Sequence, residues 1–444
     1  MENTSRRDFI KQVTATGIGM TLGGLTLSAK SYANIVGANE RINLAIMGTN
    51  GRGAGMAGNF QSFDNVNVLF VCDVEEKALA KGVDAVKKAG GNPKTEKDIR
   101  KVLENKDVDA IYYATPDHWH APAAIMACQA GKHVYGEKPC SHTPREGELM
   151  IEAARKYKRV VQIGAQRRSW PGVIEAIKEL QNGIIGKVYF ARGWYTNRRA
   201  SIGFGKPVAV PSTLDYELWQ GPAPRRVFRD NLVHYNWHWF WHWGTGEALN
   251  NGTHEIDVIR WGLGVDFPTQ VSSEGSRFVF KDDWECPDTQ IINLQFENDC
   301  LATWEGRSCN SRHSEGADRG VIFYGETGSL ETGHNGYRVF DLQNKLVKEL
   351  ESKDVIDGTN LLSPAANLDK VHIADFLDAI KNNRPPNADV AELHKSTTLV
   401  QLGNIAWRTG QRLTIDPSNG HILNSQEGQA LWSRTYEPGW EPVV

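Results

Sequence analysis

The chain has 444 residues, with 50 Lys+Arg against 53 Asp+Glu, a formal net charge of -3 and 40% hydrophobic residues. That length exceeds what one hydrophobic core usually organises, so two domains are expected, and the balanced charge offers no broad attraction to nucleic acid or to an anionic membrane. The six cysteines form neither a CxxC pair nor a zinc-like Cys/His spacing, so no structural metal is expected and the ligand should be small.

Ser5-Arg6-Arg7-Asp8-Phe9-Ile10-Lys11 is similar to the twin-arginine export consensus, and a weakly apolar, Gly/Thr-rich run follows over 13–27. The run is too short and too rich in Gly and Thr for a good membrane span, and Ser31-Tyr32-Ala33 supplies the small residues a signal peptidase accepts. Residues 1–33 are therefore expected to be a signal peptide, cleaved after Ala33, that sends a folded protein to the periplasm; a retained N-terminal anchor is the alternative. Such export carries proteins with their cofactors already inserted. A nucleotide cofactor would have to travel with the protein and be recycled on it.

From Arg41 the pattern is that of a doubly wound α/β domain. Residues 42–47 form a short apolar strand, and Gly48-Thr49-Asn50-Gly51-Arg52-Gly53 turns into a helix whose first amides can meet a pyrophosphate. Gly48 and Gly53 take the first and third positions of a dinucleotide fingerprint. Asn50 takes the second, with Gly51 beside it to restore room for a close backbone approach. The next strand, 66–72, ends at Asp73, about twenty residues past the turn, where a carboxylate can accept both ribose hydroxyls and repel a 2'-phosphate. NAD is thus favoured over NADP, with a helix cap as the alternative role for Asp73.

A strand over 108–114 runs into Thr115-Pro116-Asp117-His118-Trp119-His120, at the carboxyl edge where such sheets bind ligands. A helix over 121–130 leads to an apolar strand ending in Glu137-Lys138-Pro139. After a helix over 144–157, a strand over 160–164 reaches Gln166-Arg167-Arg168, whose two arginines either face the substrate or are ordinary solvated charges.

Beyond about Ser169 the alternation of strand and helix ceases. Residues 186–195 and 271–275 alternate β-branched or aromatic with polar residues, as half-buried strands do, and helices over 371–381 and 393–409 are expected to return and brace the domains. Trp237, Trp239, Trp241 and Trp243 recur with period two, so in an extended segment they would share one face and His238, Phe240 and His242 the other. Indoles suit the apolar faces of pyranose rings, although at least two of the four are expected in the core. Asn250 and His254 then stand four residues apart on a helical segment.

These motifs, in this order, resemble the Gfo/Idh/MocA family of nicotinamide-dependent oxidoreductases over nearly the whole chain past the signal. The resemblance implies an α/β fold: a Rossmann-type NAD-binding domain over 34–165 and a substrate domain over 166–444 with an open, mostly antiparallel sheet. It implies bound NAD, a small carbohydrate substrate, no nucleic acid partner, no stable membrane span once the signal is removed, and a homo-oligomer. Lys138, before a commonly cis Pro139, would reach from beneath the nicotinamide toward the substrate hydroxyl, and His254 would take the hydroxyl proton. The implied cofactor contacts are Gly48, Asn50, Gly51, Arg52, Gly53, Asp73, Thr115, Pro116, His120, Glu137, Lys138 and Gln166. The implied substrate contacts are Arg167, Arg168, Tyr195, Trp237, His238, Asn250 and His254. An Asp is usual where Asn250 stands, so a charge that would position Lys138 and raise the His254 pKa is missing. The reaction expected is oxidation of a ring hydroxyl of a sugar or glycoside, with C3 the favoured carbon and NAD recycled, which opens routes to epimerisation or aglycone elimination. The runner-up is an NAD-requiring hydrolase resembling glycoside hydrolase family 109, whose members generally lack the Glu-Lys-Pro lysine.

Overall fold

The computed structural model describes residues 41–333, 335–351 and 366–444, so the export-signal segment and its cleavage point lie outside the described residues. Six strands, β1 (Ile42–Met47), β2 (Val66–Cys72), β3 (Lys94–Glu96), β4 (Ala110–Tyr113), β5 (His133–Gly136) and β6 (Val161–Ile163), form a wholly parallel sheet. Their order is β3-β2-β1-β4-β5-β6, which reverses direction between β1 and β4 and opens a crevice at their carboxyl ends.

Both faces of this sheet are covered, which is why its strands are apolar runs and not alternating ones. Leu44 and Ile46 of β1 pack with Met56 and Phe60 of α1 (Arg52–Gln61) and Val86 of α2 (Glu76–Lys88). Ala45 and Met47 face the other way, toward α3 (Ile99–Leu103), α4 (His120–Gln129) and α5 (Pro144–Lys156).

The second sheet has nine strands: β7 (Val188–Thr196), β8 (Gln270–Ser276), β9 (Thr289–Gln295), β10 (Leu301–Arg307), β11 (Arg319–Gly325), β12 (Gly328–Thr332), β13 (Tyr337–Asp341), β14 (Leu346–Leu350) and β15 (Leu413–Thr414). All its pairs are antiparallel except β7 with β10. Its inner face, with Ile292, Leu294, Trp304, Val321 and Phe323, is covered by α6 (Pro171–Gln181), by α8 (Thr253–Leu263), which follows a short α7 (Tyr216–Gln220), and by the C-terminal half of α10 (Val390–Thr409). The chain then braces its halves. Ile373, Phe376 and Leu377 of α9 (Ala366–Asn382) join the core under the parallel sheet, and α10 contributes Leu393 to the parallel-sheet core but Leu399 and Leu402 to the other.

Two features of the β7–α8 connection position the site. Residues 211–220 form a strap across the carboxyl edge of the parallel sheet. At the β2 end, Glu76 N donates to Thr213 O at 3.1 Å and Asp215 N to Val74 O at 2.9 Å; at the β4 end, Trp219 O accepts from Trp119 Nε1 at 3.0 Å and lies 3.0 Å from His118 Nε2. The tryptophan-rich segment is not extended, contrary to its period of two. Asn236–Trp239 is a 3-10 turn and further turns follow, because each indole finds its own partner in a small satellite core. Trp239 stacks on Trp284 with centroids 3.9 Å apart, Trp243 meets Trp219 edge-on at 4.9 Å, and Trp241 lies near Trp407.

Candidate active site

A single cleft of about 850 Å³ runs along the carboxyl ends of β1, β2, β4 and β5 and is closed from the other side by the strap, the tryptophan segment, α8 and β11. One end is built around the glycine turn. Gly48 has φ +80°, and a Cβ there would come within 2.8 Å of Ala114 O. At Gly53 a Cβ would stand 1.7 Å from Gly48 O, so this glycine lets α1 start tight against the turn and does not itself line the cleft. A Cβ at Gly51 would meet nothing within 4 Å, and no side chain caps this helix start. The helix N-terminus is therefore open to an anion. Asn50 is held from α2 by Lys81, whose Nζ donates to its Oδ1 at 2.8 Å.

Asp73 does two things. Its Oδ2 accepts from Thr49 N at 2.6 Å and its Oδ1 from Glu75 N at 3.0 Å, which pins the glycine turn to the end of β2. Burial pushes its pKa up against those bonds, and as a cleft-lining carboxylate it retains acceptor capacity beyond them. The helix-cap role belongs to Glu75, whose side chain accepts from Ala78 N. Thr115 and Pro116 line the cleft beyond β4, and the buried Thr115 hydroxyl has no hydrogen-bond partner among the described residues. An open helix start, a carboxylate with spare capacity and an unpartnered hydroxyl along one crevice fit a dinucleotide's pyrophosphate and riboses.

Arg52 also borders this end. Its Nε donates to Glu137 Oε1 at 2.9 Å and its two terminal nitrogens grip Asp369 at 2.7 and 2.8 Å, so it ties α1 to β5 and α9. Glu137 Oε1 accepts from Tyr112 OH as well, at 3.0 Å. Gln166 lines the cleft beside Glu137. The His120 ring lies between Pro139 O, 2.7 Å from Nδ1, and Thr115 O, 3.0 Å from Nε2, so it shapes this wall by spacing two loops.

At the other end Lys138 emerges from β5 before a cis Pro139. Its Nζ donates to Asn250 O at 2.5 Å and to Asn250 Oδ1 at 2.9 Å. Burial lowers the Lys138 pKa, with Glu137 and Asp117 opposing. Asn250 belongs to a π-helical turn, Ala248–Gly252, that feeds directly into α8. In that widened turn its carbonyl is turned onto the ammonium. His254, in the first turn of α8, lines the same cleft without a hydrogen bond to any described residue. Burial, then the charges of Arg319 and Lys138, hold its pKa well below the usual histidine value, so the ring is neutral at pH 7. Arg319 and Arg167 share Glu255 Oε1 at 2.9 and 3.4 Å, and burial brings the Arg167 pKa down to about 10. Tyr195 lies under Arg319, 5.1 Å from its ring centroid. Trp237 stacks on His238 with centroids 3.5 Å apart, and both line the cleft.

Arg168 is a correction to the expected substrate contacts. Its guanidinium turns away from the cleft and grips Asp257 at 2.9 and 2.7 Å, because a carboxylate buried in α8 needs a bidentate partner. Residues that no motif pointed to also border the reactive end: Asp117, buried with its Oδ2 2.5 Å from Thr245 Oγ1, Trp170, Asp318 and Arg319. Only Asp117 sat inside a segment singled out from sequence.

Two family models match the chain: an oxidoreductase family NAD-binding Rossmann fold over residues 42–165, and the C-terminal alpha/beta domain of the same family over 194–442. The chain is similar to a glycosyl hydrolase family 109 protein of Saccharopolyspora erythraea, 30% identical over 46% of this chain and 48% of that protein, so the match spans about half that relative's length. Inositol 2-dehydrogenase of Salmonella typhimurium is 30% identical over 34% of the chain and 45% of its own length. An alpha-N-acetylgalactosaminidase of Tannerella forsythia is 25% identical over 97% of the chain and 100% of its own. Among solved structures, levoglucosan dehydrogenase in complex with NADH and levoglucosan shares the fold at TM-score 0.65 and 18% identity, covering 84% of this chain and 99% of that one. Because the longer family model alone covers more than half of the chain, as well as the β-rich domain that bears His254, this protein belongs to the Gfo/Idh/MocA family of oxidoreductases.

Proposed function

We propose that the protein oxidises a ring hydroxyl of a sugar or glycoside, with C3 the favoured carbon, and keeps its NAD through successive turnovers. The observation that carries this reading is the convergence of Lys138 and His254 on one cleft whose far end suits a dinucleotide. NAD, when bound, supplies the hydride acceptor. Lys138, its ammonium held on Asn250, donates a hydrogen bond to the reacting hydroxyl oxygen, and His254, neutral and unbonded, takes the hydroxyl proton through a ring nitrogen. The substrate's C–H electron pair leaves as hydride while its O–H pair becomes the second bond of the ketone. The ketone acidifies neighbouring C–H bonds, which permits epimerisation or loss of an aglycone before the hydride returns. The aromatic wall of Trp237 and the polar edge formed by Asn251, Asp318 and Arg319 supply the apolar and hydrogen-bonding surfaces a pyranose requires.

The reading includes export to the periplasm by the twin-arginine route, on the strength of Arg6-Arg7 and the run that follows, and a homo-oligomeric assembly. The decisive experiment incubates the as-purified protein with a panel of glycosides and assays keto-sugars and reduction of bound nicotinamide. Keto product with label transfer from substrate deuterated at the oxidised carbon supports the oxidoreductase. The full-length likeness to an alpha-N-acetylgalactosaminidase favours a second reading, glycoside cleavage. Cleavage without nicotinamide reduction or a keto intermediate would establish it.

A further inference from the structure

Glu247 lies one turn before Asn250, is 3% exposed, and gathers donors from three residues. Its Oε1 accepts from Asn250 Nδ2 at 3.2 Å and closely from Asn251 Nδ2, while Arg199 closes on it through Nε and, at 3.1 Å, Nη2. Arg199 is itself clamped over the Trp239 ring at 4.9 Å and donates to Tyr235 OH at 3.0 Å. The orientation of the Asn250 amide follows from chemistry alone. An ammonium can only donate and a carboxylate can only accept, so the amide must turn its NH2 to Glu247 and its oxygen to Lys138.

We propose that Glu247 is a positioning residue: it holds the Asn250 amide so that Oδ1 stays on the Lys138 ammonium, and it places a negative charge one amide away from that ammonium. This rests on the reading that Lys138 polarises the reacting hydroxyl. The ammonium is faced by Glu137 and Asp117 from the parallel-sheet side and, from the other, by Glu247 with its partner Arg199, by the Arg319 guanidinium, and by the His238 and His254 rings, which burial keeps neutral. Removing its charge lowers the Lys138 pKa further, and the charged form is lost at lower pH.

The test titrates Lys138 directly on the as-purified protein, by competitive trace labelling with acetic anhydride between about pH 6 and pH 10, read by mass spectrometry. Glu247→Gln should lower the Lys138 titration midpoint by about one pH unit, and Glu247→Gln with Asn250→Asp should bring it back to the parent value or above. A purely structural partner of Arg199 would destabilise the protein on substitution and leave the titration in place. An unmoved midpoint in Glu247→Gln overturns the proposal. If Glu247→Gln does not fold, Glu247→Asp carries the test: it keeps the charge but withdraws the carboxylate by one methylene from the Asn250 amide, and should lower the Lys138 midpoint by a smaller amount; an unmoved midpoint refutes the proposal. Lys138→Ala, assayed on the glycoside panel for reduction of bound nicotinamide, keeps the two claims apart. Retained activity there sinks the Lys138 reading whatever the titration shows.

Discussion

Replacing Arg168 with Ala should cost stability and leave substrate affinity alone. The Arg168 side chain is 7% exposed and that of Asp257 is 2% exposed, and their bidentate pair is supplemented by Ser396 Oγ at 2.6 Å from Asp257 Oδ1 and by the charge of the nearby Arg260. Leaving a buried carboxylate without its guanidinium costs about 3–5 kcal/mol. With an unfolding entropy of ~2.1 cal/mol/K per residue over roughly 400 residues, that is a fall in melting temperature of about 4–6 °C. The pH dependence has a definite sign. Burial raises the Asp257 pKa, but the Arg168 charge and hydrogen bonds outweigh it, so the carboxyl titrates below its ordinary range. The pair's contribution is complete above the unfolded carboxylate pKa of about 3.9 and disappears as pH falls through the depressed folded value. Thermal melts at neutral pH and below about pH 4 should therefore show the parent and Arg168→Ala converging in acid. Replacing both partners, as in Arg168→Met with Asp257→Leu, should recover most of the loss. A variant that melts like the parent but binds glycoside more weakly would refute this and return Arg168 to the substrate.

Protein purified without added nucleotide and then denatured should release near-stoichiometric NAD; an empty site with weak affinity for added NAD would contradict retention. Asp73→Ala should weaken NAD binding and narrow the preference over NADP, and equal affinity of the parent for both cofactors would remove the ribose role. Lys138→Ala and His254→Ala should each lose about 100-fold or more in the rate of nicotinamide reduction with cofactor still bound, and the His254-dependent rate should persist well below pH 6.5 because that ring stays neutral there. Gly53→Ala, whose new methyl would strike Gly48 O, should weaken NAD binding by on the order of 100-fold, read by equilibrium titration.

The parallel half of the fold was legible because local patterns report it. An apolar run such as Ile42–Met47 followed at once by Gly48 can hardly be anything but a buried strand meeting a tight turn, and Asp73, Lys138 and His254 each sit in a segment whose neighbours state their position. The tryptophan segment was misread for a physical reason. Period two implies a strand only if one face is buried in common, and here Trp239 and Trp243 bury themselves against Trp284 and Trp219 while the half-buried Trp241 lies near Trp407, partners brought together only by the folded chain. Arg168 was ambiguous because its partner Asp257 lies 89 residues further along the chain, in α8. Arg319 and Glu247 were invisible as site residues for the same reason: a lone charge on a strand or before a helix carries no signal until Glu255, Arg199 and Asn250 are placed around it.

The strap over 211–220 changes what cofactor affinity means in this molecule. It is fastened to Val74 and Glu76 at one end of the crevice and to His118 and Trp119 at the other, and Leu218 and Trp219 line the space beneath it. If a dinucleotide lies beneath Leu218 and Trp219, as the retention reading has it, its departure is expected to require some of these protein hydrogen bonds to break as well as its own contacts. On that reading residence time is set by how often this segment opens, a local unfolding rate, and two variants with the same equilibrium affinity for NAD are expected to keep it for different times.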